Sequence, residues 1–411
     1  MVSSVGEAAV SGVNIIDNIN NLFIIAFVAL CTGGTVVVSQ YIGRADANGT
    51  RTTSRQLYYT VFIAAILVMV PVMILRRNII NLLYGAVEND VMDAASIYLL
   101  ITAASYPFLG IYNACSALFR SAGNSKIPMY IAFLVNCINI IGNSILIYGF
   151  GLGAEGAAIA TFASRLIAAI VLSLMLIRNR SPVGLEGIQK ISLNYSMILR
   201  ILKVGIPTGL EASMFQSGRL LTQRIFTVFG TAAIAGNAIA SVINSVSFMP
   251  GIAFSMGLLT VVGQCMGAGN IESAKQNTIR ILKLSWLTLF VISGSILLFL
   301  EPLIGIFSLS PEAHTMAKSF LQVHCISMIF GWSFSFVLPN ALRASGDARY
   351  VMICATVSMF AVRVTLAYFI TFTLGVGPLG VWIAMGLDFV VRGICYLYRW
   401  KSGKWQEKTV L

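Results

Sequence analysis

The chain has 411 residues, of which 57 % are apolar, 10 % are charged and 36 are glycine. A soluble domain carries about 25 % charge, so this composition excludes a soluble enzyme, a disordered tail and a nucleic-acid binder. The 27 Lys and Arg against 15 Asp and Glu give +12, but they lie between apolar runs and form no single water-facing patch of the kind that attracts phosphates.

A helix needs about 20 mainly apolar residues to cross the hydrocarbon, because nothing there can hydrogen-bond a bare backbone. Runs of that kind predict helices at 19–41, 57–75, 95–119, 127–149, 154–177, 198–228, 237–262, 279–300, 315–342, 350–373 and 378–399. Eleven spans make an all-α, polytopic membrane protein. The loop after the first span holds Arg44, Arg51 and Arg55, and every second loop after it is again basic. Those loops and the tail carry nineteen Lys and Arg, against three (Arg76, Arg77 and Lys318) in the alternate loops. Lys and Arg collect on the cytoplasmic side, so the C-terminus is expected in the cytoplasm and the protein in a bacterial inner (plasma) membrane. The seven cysteines are scattered with no CxxC spacing, which indicates neither a disulfide framework nor a zinc site.

Residues 6–43 match 230–267 at a constant offset of 224, with Gly12/Gly236, Asn20/Asn244, Gly33/Gly257, Gln40/Gln264 and Gly43/Gly267 among the identities. Arg120-Ser-Ala-Gly-Asn answers Arg343-Ala-Ser-Gly-Asp, and Gly156-Ala-Ala-Ile-Ala answers Gly380-Val-Trp-Ile-Ala. Shared greasiness would match Val and Ala, not Gly, Gln, Asn and Arg in one register. Two homologous halves of this kind build secondary transporters. The second half has six spans, so the halves run in the same sense. They are read as an N-lobe over 1–180, a cytoplasmic linker over 181–197 and a C-lobe over 198–411. At offset 224 the span 198–228 would match residues preceding Met1. The first half therefore reads as a six-helix lobe without its first helix, and Met1 is expected to be an internal start in preference to a truncated product.

Gly151-x-Gly153-x-x-Gly156 and Gly375-x-Gly377-x-x-Gly380 both fit a dinucleotide fingerprint, which requires a strand before it and a helix after it. Here each follows a membrane-length helix, and the glycines are expected to serve turns. His314 and His324 have no Ser, Cys or ligand partner pattern, so no catalytic group is expected and the protein is not read as an enzyme.

Ser4-Val5-Gly6-Glu7-Ala8-Ala9, Gly156-Ala-Ala-Ile-Ala-Thr161, Gly205-Ile-Pro207 and the closing Gly380-Val-Trp-Ile-Ala with Asp388, Arg392 and Gly403-Lys-Trp405 resemble the multidrug and toxic compound extrusion (MATE) family over the whole chain. The resemblance implies two helical lobes of six helices each, and export of amphipathic organic cations in exchange for Na⁺ or H⁺, with no cofactor. It implies an N-lobe site with an Asp on the first helix, which here would precede Met1. The site's other positions map onto Asn139, Asn143 and Thr161, a tentative Na⁺ site. Asn143 stands where the family has an acid and cannot take a proton. Some family members carry a C-lobe carboxylate near Phe215 and a second acid on the tenth helix; the matching run 315–342 has none in its interior.

Glu211 is the strongest single candidate for cation coupling, because a carboxylate inside a span is costly unless paired or functional. Gly218 and Thr222 share its helical face and would complete a small polar slot; a hydrogen bond to the backbone freed by Pro207 is the plainer alternative. Asp388 and Arg392 stand at i,i+4 and read as a structural or gating ion pair near the cytoplasmic side. Arg165, Arg219, Arg224 and Arg363 either line a cavity or snorkel, and snorkelling is preferred. Trp332, Phe330, Phe334, Phe336 and Met249 offer a candidate cavity wall of the adaptable kind, against the plainer reading that they face lipid or core. The expected partners are small organic cations and the lipid bilayer, for a monomer. A lipid-linked oligosaccharide flippase of similar two-lobe architecture is the alternative; it would need a cavity dominated by arginines. A membrane-embedded transferase would need a carboxylate or His/Asp cluster, and none is seen.

Overall fold

The sequence offset of 224 reappears as backbone geometry. Ala45 (φ 55°) and Gly269 (φ 71°) occupy matching left-handed positions, and the next residue caps the following helix in both halves. Asp46 accepts from Gly49 N at 2.8 Å and Asn270 from Ser273 N at 2.9 Å, satisfying first-turn donors that have no intrahelical partner. The motif glycines pair the same way: Gly151 with Gly375 at φ 69°, and Gly153 with Gly377 at 55° and 75°. Each pair follows a helix and precedes another, so these are turn glycines, as expected.

A computed structural model of the chain describes residues 7–85, 88–178, 182–188, 192–408 and 410–411, and those residues contain helices and no strand. Gly6 of the repeat and Arg180 and Lys190 of the basic loop lie outside them, as does the segment at Met1. The chain divides into two units, Met1–Gly209 and Leu210–Leu411. In the first lie α1 (Glu7–Gly43), α2 (Ala47–Ile74), α3 (Arg76–Tyr84), α4 (Asn89–Ala104), α5 (Tyr106–Ser121), α6 (Lys126–Asn143), a π-helical continuation Ser144–Gly149, and α7 (Gly153–Arg178). The boundary falls inside α8 (Tyr195–Val228). The second unit adds α9 (Gly230–Ser247), α10 (Met249–Gly267), α11 (Ile271–Leu298), α12 (Leu300–Gly305) and α13 (Pro311–Ser327), which runs through π-helical Met328–Val337 into α14 (Leu338–Ser345). Then come α15 (Ala348–Val357), π-helical Ser358–Val364, α16 (Thr365–Tyr368), π-helical Phe369–Thr373 and α17 (Leu379–Lys401).

Among the described residues nine helices are long and apolar enough to cross a bilayer, and the bent pair α4–α5 makes a tenth. The remaining predicted run, 198–228, falls on α8, whose 34 residues are interrupted by Arg200, Lys203, Glu211, Arg219 and Arg224. Two predicted runs are broken where a proline removes an i→i−4 donor. The run 95–119 bends by 43° at Ser105, ahead of Pro107. The run 237–262 divides at Phe248, ahead of Pro250, whereas the matching α1 has no proline and continues for 37 residues.

Within each unit the repeat glycines let helices approach closely, as small residues do in membranes. A Cβ on Gly12 would stand 3.0 Å from Ala95 N of α4, and one on Gly236 would stand 2.9 Å from Ala313 O of α13. The segment after α7 docks on α2. Gln56 donates to Ser192 O at 2.6 Å and accepts from Asn194 N at 3.0 Å, Tyr59 donates to Ile188 O at 2.6 Å, and Val183 and Leu185 are buried. The sparse basic residues of the alternate loops are tied down. Arg77 pairs with Asp93 at 2.7 Å, Arg76 donates to Ser96 at 2.9 Å, and Lys318 pairs with Glu301 and, through that hydrogen bond, holds its carboxyl below the usual range.

A non-glycine residue held left-handed costs about 1–2 kcal/mol, partly offset by the unfolded-state entropy a glycine brings. Ala45→Gly is therefore expected to stabilise by about 0.5–1 kcal/mol and Gly269→Ala to destabilise by about 1 kcal/mol. Thermal melts of the purified protein check both signs; a fall for Ala45→Gly would contradict the account.

Candidate functional site

In the first unit the three predicted coupling residues meet as one chain of hydrogen bonds. Asn143 donates to Asn139 Oδ1 at 3.1 Å, Asn139 donates to Thr161 Oγ1 at 3.2 Å, and Thr161 donates to Ala157 O at 2.9 Å. Asn139 and Asn143 share a face of α6 because they are four apart, and the helix widens to π geometry at Ser144, a feature that recurs at functional sites. Asn143 Oδ1 ends the chain buried and without a partner. The cluster offers neutral oxygens only, and among the described residues no group of three or more His, Cys, Asp or Glu is placed to hold a metal ion.

One turn along α7 from Thr161, Arg165 donates to Ser105 Oγ at 2.7 Å, at the α4–α5 bend. Beside it Tyr98 donates to Asp17 Oδ1 at 3.4 Å and Tyr106 donates to Asn20 Oδ1 at 2.8 Å. Arg165 thus serves a helix break and does not snorkel. Asp17 falls outside the span expected at 19–41, whereas α1 begins at Glu7 and carries it within the helix. An acid two residues outside a predicted span was the available signal.

In the second unit Glu211 is already paired. Arg343 Nη2 donates to both carboxylate oxygens at 2.7 Å, and its Nη1 donates to Asn340 at 2.9 Å. The side chains of Glu211 and Arg343 are 14 % and 11 % exposed. The expected slot of Glu211, Gly218 and Thr222 does not form: Met359 covers Gly218, and Thr222 donates to Arg219 O at 3.0 Å. The bond to backbone freed by Pro207 is not made either, since α14 brings a guanidinium to Glu211 from far along the chain. Asp388 and Arg392 of α17 form their i,i+4 pair at 0 % and 2 % side-chain exposure, and Ser358 donates to Asp388 at 2.6 Å. The Arg392 guanidinium lies 5.0 Å from the ring centre of Phe336 and 5.4 Å from that of Phe215.

Beside this pair the second unit encloses a cavity of about 360 Å³. Phe215, Phe226, Phe248, Trp332, Phe336, Trp382 and Phe389 supply rings, and Thr222, Gln223, Asn237, Ser241, Asn244, Ser245 and His324 supply polar groups. Trp332 stacks on Phe336 at 5.0 Å and lies against Gly251 so closely that no Cβ fits between. Of the predicted wall, Trp332 and Phe336 line the cavity; Phe330, 69 % exposed, and Met249, 61 % exposed, do not. Trp332 and Phe336, four apart, share the inward face of π-helical Met328–Val337, and Phe330, two residues before Trp332, falls on the opposite one. Arg219 and Arg363 also line the cavity, which corrects their expected snorkelling: Arg363, on π-helical Ser358–Val364, is 7 % exposed. Arg363 Nε, Trp382 Nε1 and His324 Nδ1 have no hydrogen-bond partner, and each unpaired buried polar atom costs about 1–3 kcal/mol.

A family profile described as MatE matches residues 1–145 and 207–369. The chain is 30 % identical, over 98 % of its length and 87 % of the relative's, to a probable multidrug resistance protein NorM of Thermotoga maritima. It is 26 % identical, over 99 % and 90 %, to an uncharacterized transporter, YisQ, of Bacillus subtilis. Its fold is similar to a crystal structure of MATE in the bent conformation, with a TM-score of 0.92 at 18 % identity, covering 99 % of this chain and 90 % of that one.

Removing one partner of a buried ion pair costs about 3–5 kcal/mol, whereas replacing both by apolar groups is often neutral. Asp388→Ala is expected to lower the melting temperature sharply and the double change Asp388→Ala/Arg392→Met to recover most of it. Equal loss in the single and double variants would show that the pair is not what matters there.

Proposed function

We propose that this chain, which belongs to the MatE family of membrane transporters, exports amphipathic drug-like compounds in exchange for Na⁺ or H⁺. The observation that carries the reading is the aromatic, polar-flecked cavity of about 360 Å³ inside the second unit, within the size range of small-molecule sites and of their mostly apolar character. The relatives' names support multidrug resistance as the physiological outcome. The chain is a transporter and not an enzyme. Organic cations are the substrate class the family resemblance implies.

Coupling is assigned to the first unit. The unpartnered Asn143 Oδ1, with Asn139 and Thr161 beside it, suits a hard cation once the Asn143–Asn139 bond opens and frees a second carbonyl oxygen. Asp17, on the Arg165 side of the same α7 face, supplies the ionisable group that the asparagines lack. In the second unit Glu211 becomes available to a cation only when Arg343 withdraws, so the pair acts as a latch between states. A cation shifts those states only by its differential affinity for them. The flippase alternative draws support from the two cavity arginines, but the aromatic lining of the cavity favours a drug-sized amphiphile.

Expressed in an efflux-deficient bacterium, the protein is expected to cut ethidium accumulation severalfold. Asn139→Leu and Asp17→Asn should each restore most of the lost accumulation, with collapse of either the Na⁺ or the proton gradient doing the same. Unchanged accumulation on expression would overturn the export reading, and full export by both variants would overturn the coupling assignment.

The basic loops support a cytoplasmic C-terminus in the bacterial inner membrane. A C-terminal green fluorescent protein fusion should therefore fluoresce and an alkaline phosphatase fusion stay inactive; the reverse pattern would invert the topology.

A further inference from the structure

We propose that the cavity of the second unit is an anion-selective site, built for an aromatic amphiphile that carries a carboxylate, sulfonate or phosphate group. This rests on the reading that the cavity holds the transported compound, and it assigns that cavity a polarity opposite to the organic-cation class.

Charge balance around the cavity is the first ground. Arg392 is satisfied by Asp388, which Ser358 also serves, and Arg343 is satisfied by Glu211. That leaves Arg219 and Arg363, both lining the cavity, with no ion pair among the described residues, and the described lining contains no Asp or Glu. For Arg363, buried at 7 % exposure, a guanidinium without an ion-pair partner is costly, and the cost is relieved by an anion in its own cavity.

The second ground is the direction of the unused hydrogen-bonding capacity. Arg363 and Trp382, 7 % and 4 % exposed, each present an N–H without an acceptor, against one unpaired acceptor in the same lining, Asn244 Oδ1. An indole N–H and a guanidinium N–H can only donate, so both call for an acceptor on the occupant. Arg363 also sits 5.4 Å from the ring centre of Phe215, where a flat aromatic body bound beside it would keep the guanidinium stacked and its fork turned to the anionic group.

The internal repeat supplies the third ground. Ser241 and Asn244 of the cavity wall are the offset-224 counterparts of Asp17 and Asn20. The wall that carries a carboxylate in the first unit is therefore neutral in the second.

The purified full-length protein in detergent should be titrated with 2-naphthalenesulfonate and with 2-naphthyltrimethylammonium, matched in ring and opposite in charge, following quenching of tryptophan emission from Trp332 and Trp382. The sulfonate is expected to bind at least tenfold tighter. Arg219→Gln and Arg363→Gln should each weaken it tenfold or more and leave the ammonium compound unchanged or tighter. An ammonium Kd equal to or below the sulfonate Kd would overturn the proposal, as would sulfonate affinity within twofold of wild type in both variants. If Arg363→Gln does not yield folded protein, the wild-type pair of probes and Arg219→Gln, on an exposed side chain, decide. Dihexanoyl phosphatidylglycerol, an anion without a ring, should displace the sulfonate only weakly; displacement at equal concentration would assign the site to a lipid headgroup and overturn the aromatic class. Ethidium export in cells is read separately. Failure to export either ethidium or an anionic dye with sulfonate preference intact would sink the export reading alone, and export without charge preference in binding would sink this one alone.

Discussion

In hydrocarbon every backbone N–H and C=O must find its partner within the helix, and nearly everything else about this protein follows from that requirement. It makes the described chain helical throughout, and it makes each departure from a regular helix expensive. The departures are few and are not randomly placed. Two lie at the prolines that end α4 and α9, and the rest are π-helical stretches after α6, after α13 and around α16. At the first break Ser105 is reached by Arg165, and in the widened turns stand Trp332, Phe336 and Arg363.

Charge obeys the same economy of satisfaction. Ionisable groups inside a span are tolerated when paired, and here Glu211 with Arg343 and Asp388 with Arg392 meet that condition. Arg219 and Arg363 have no ion pair among the described residues, and both line the cavity, where a solute could supply the missing charge. The first unit has the complementary arrangement, with Asp17 among Tyr98, Asn20 and Arg165. Two copies of one ancestral helix pattern have thus been specialised by a handful of polar replacements, while capping residues, turn glycines and close-packed glycines stay in register.

Much of the architecture was legible from residue order. The eleven apolar runs each fall on a helix or a chain of helices, the turn glycines are turn glycines, and the Asn139/Asn143/Thr161 set implied by the family resemblance comes together because α6 and α7 pack side by side and the two asparagines are four apart. Glu211 could not be read correctly in the same way. Its partner Arg343 lies 132 residues away, and no local spacing announces it. Asp17 lies just outside the span expected at 19–41, and Phe330 and Met249 were grouped with the cavity wall by residue type alone, which does not say which face of a helix points inward.

Sequence by itself determined the class of protein, the repeat, the sidedness of charge and the local ion pair of α17, because hydropathy, register and i,i+4 geometry are properties of neighbouring residues. Only the tertiary structure decided which charges are spent on one another and which are left to face a cavity. That outcome depends on pairings between helices far apart in the chain, such as Glu211 with Arg343, which no local spacing encodes.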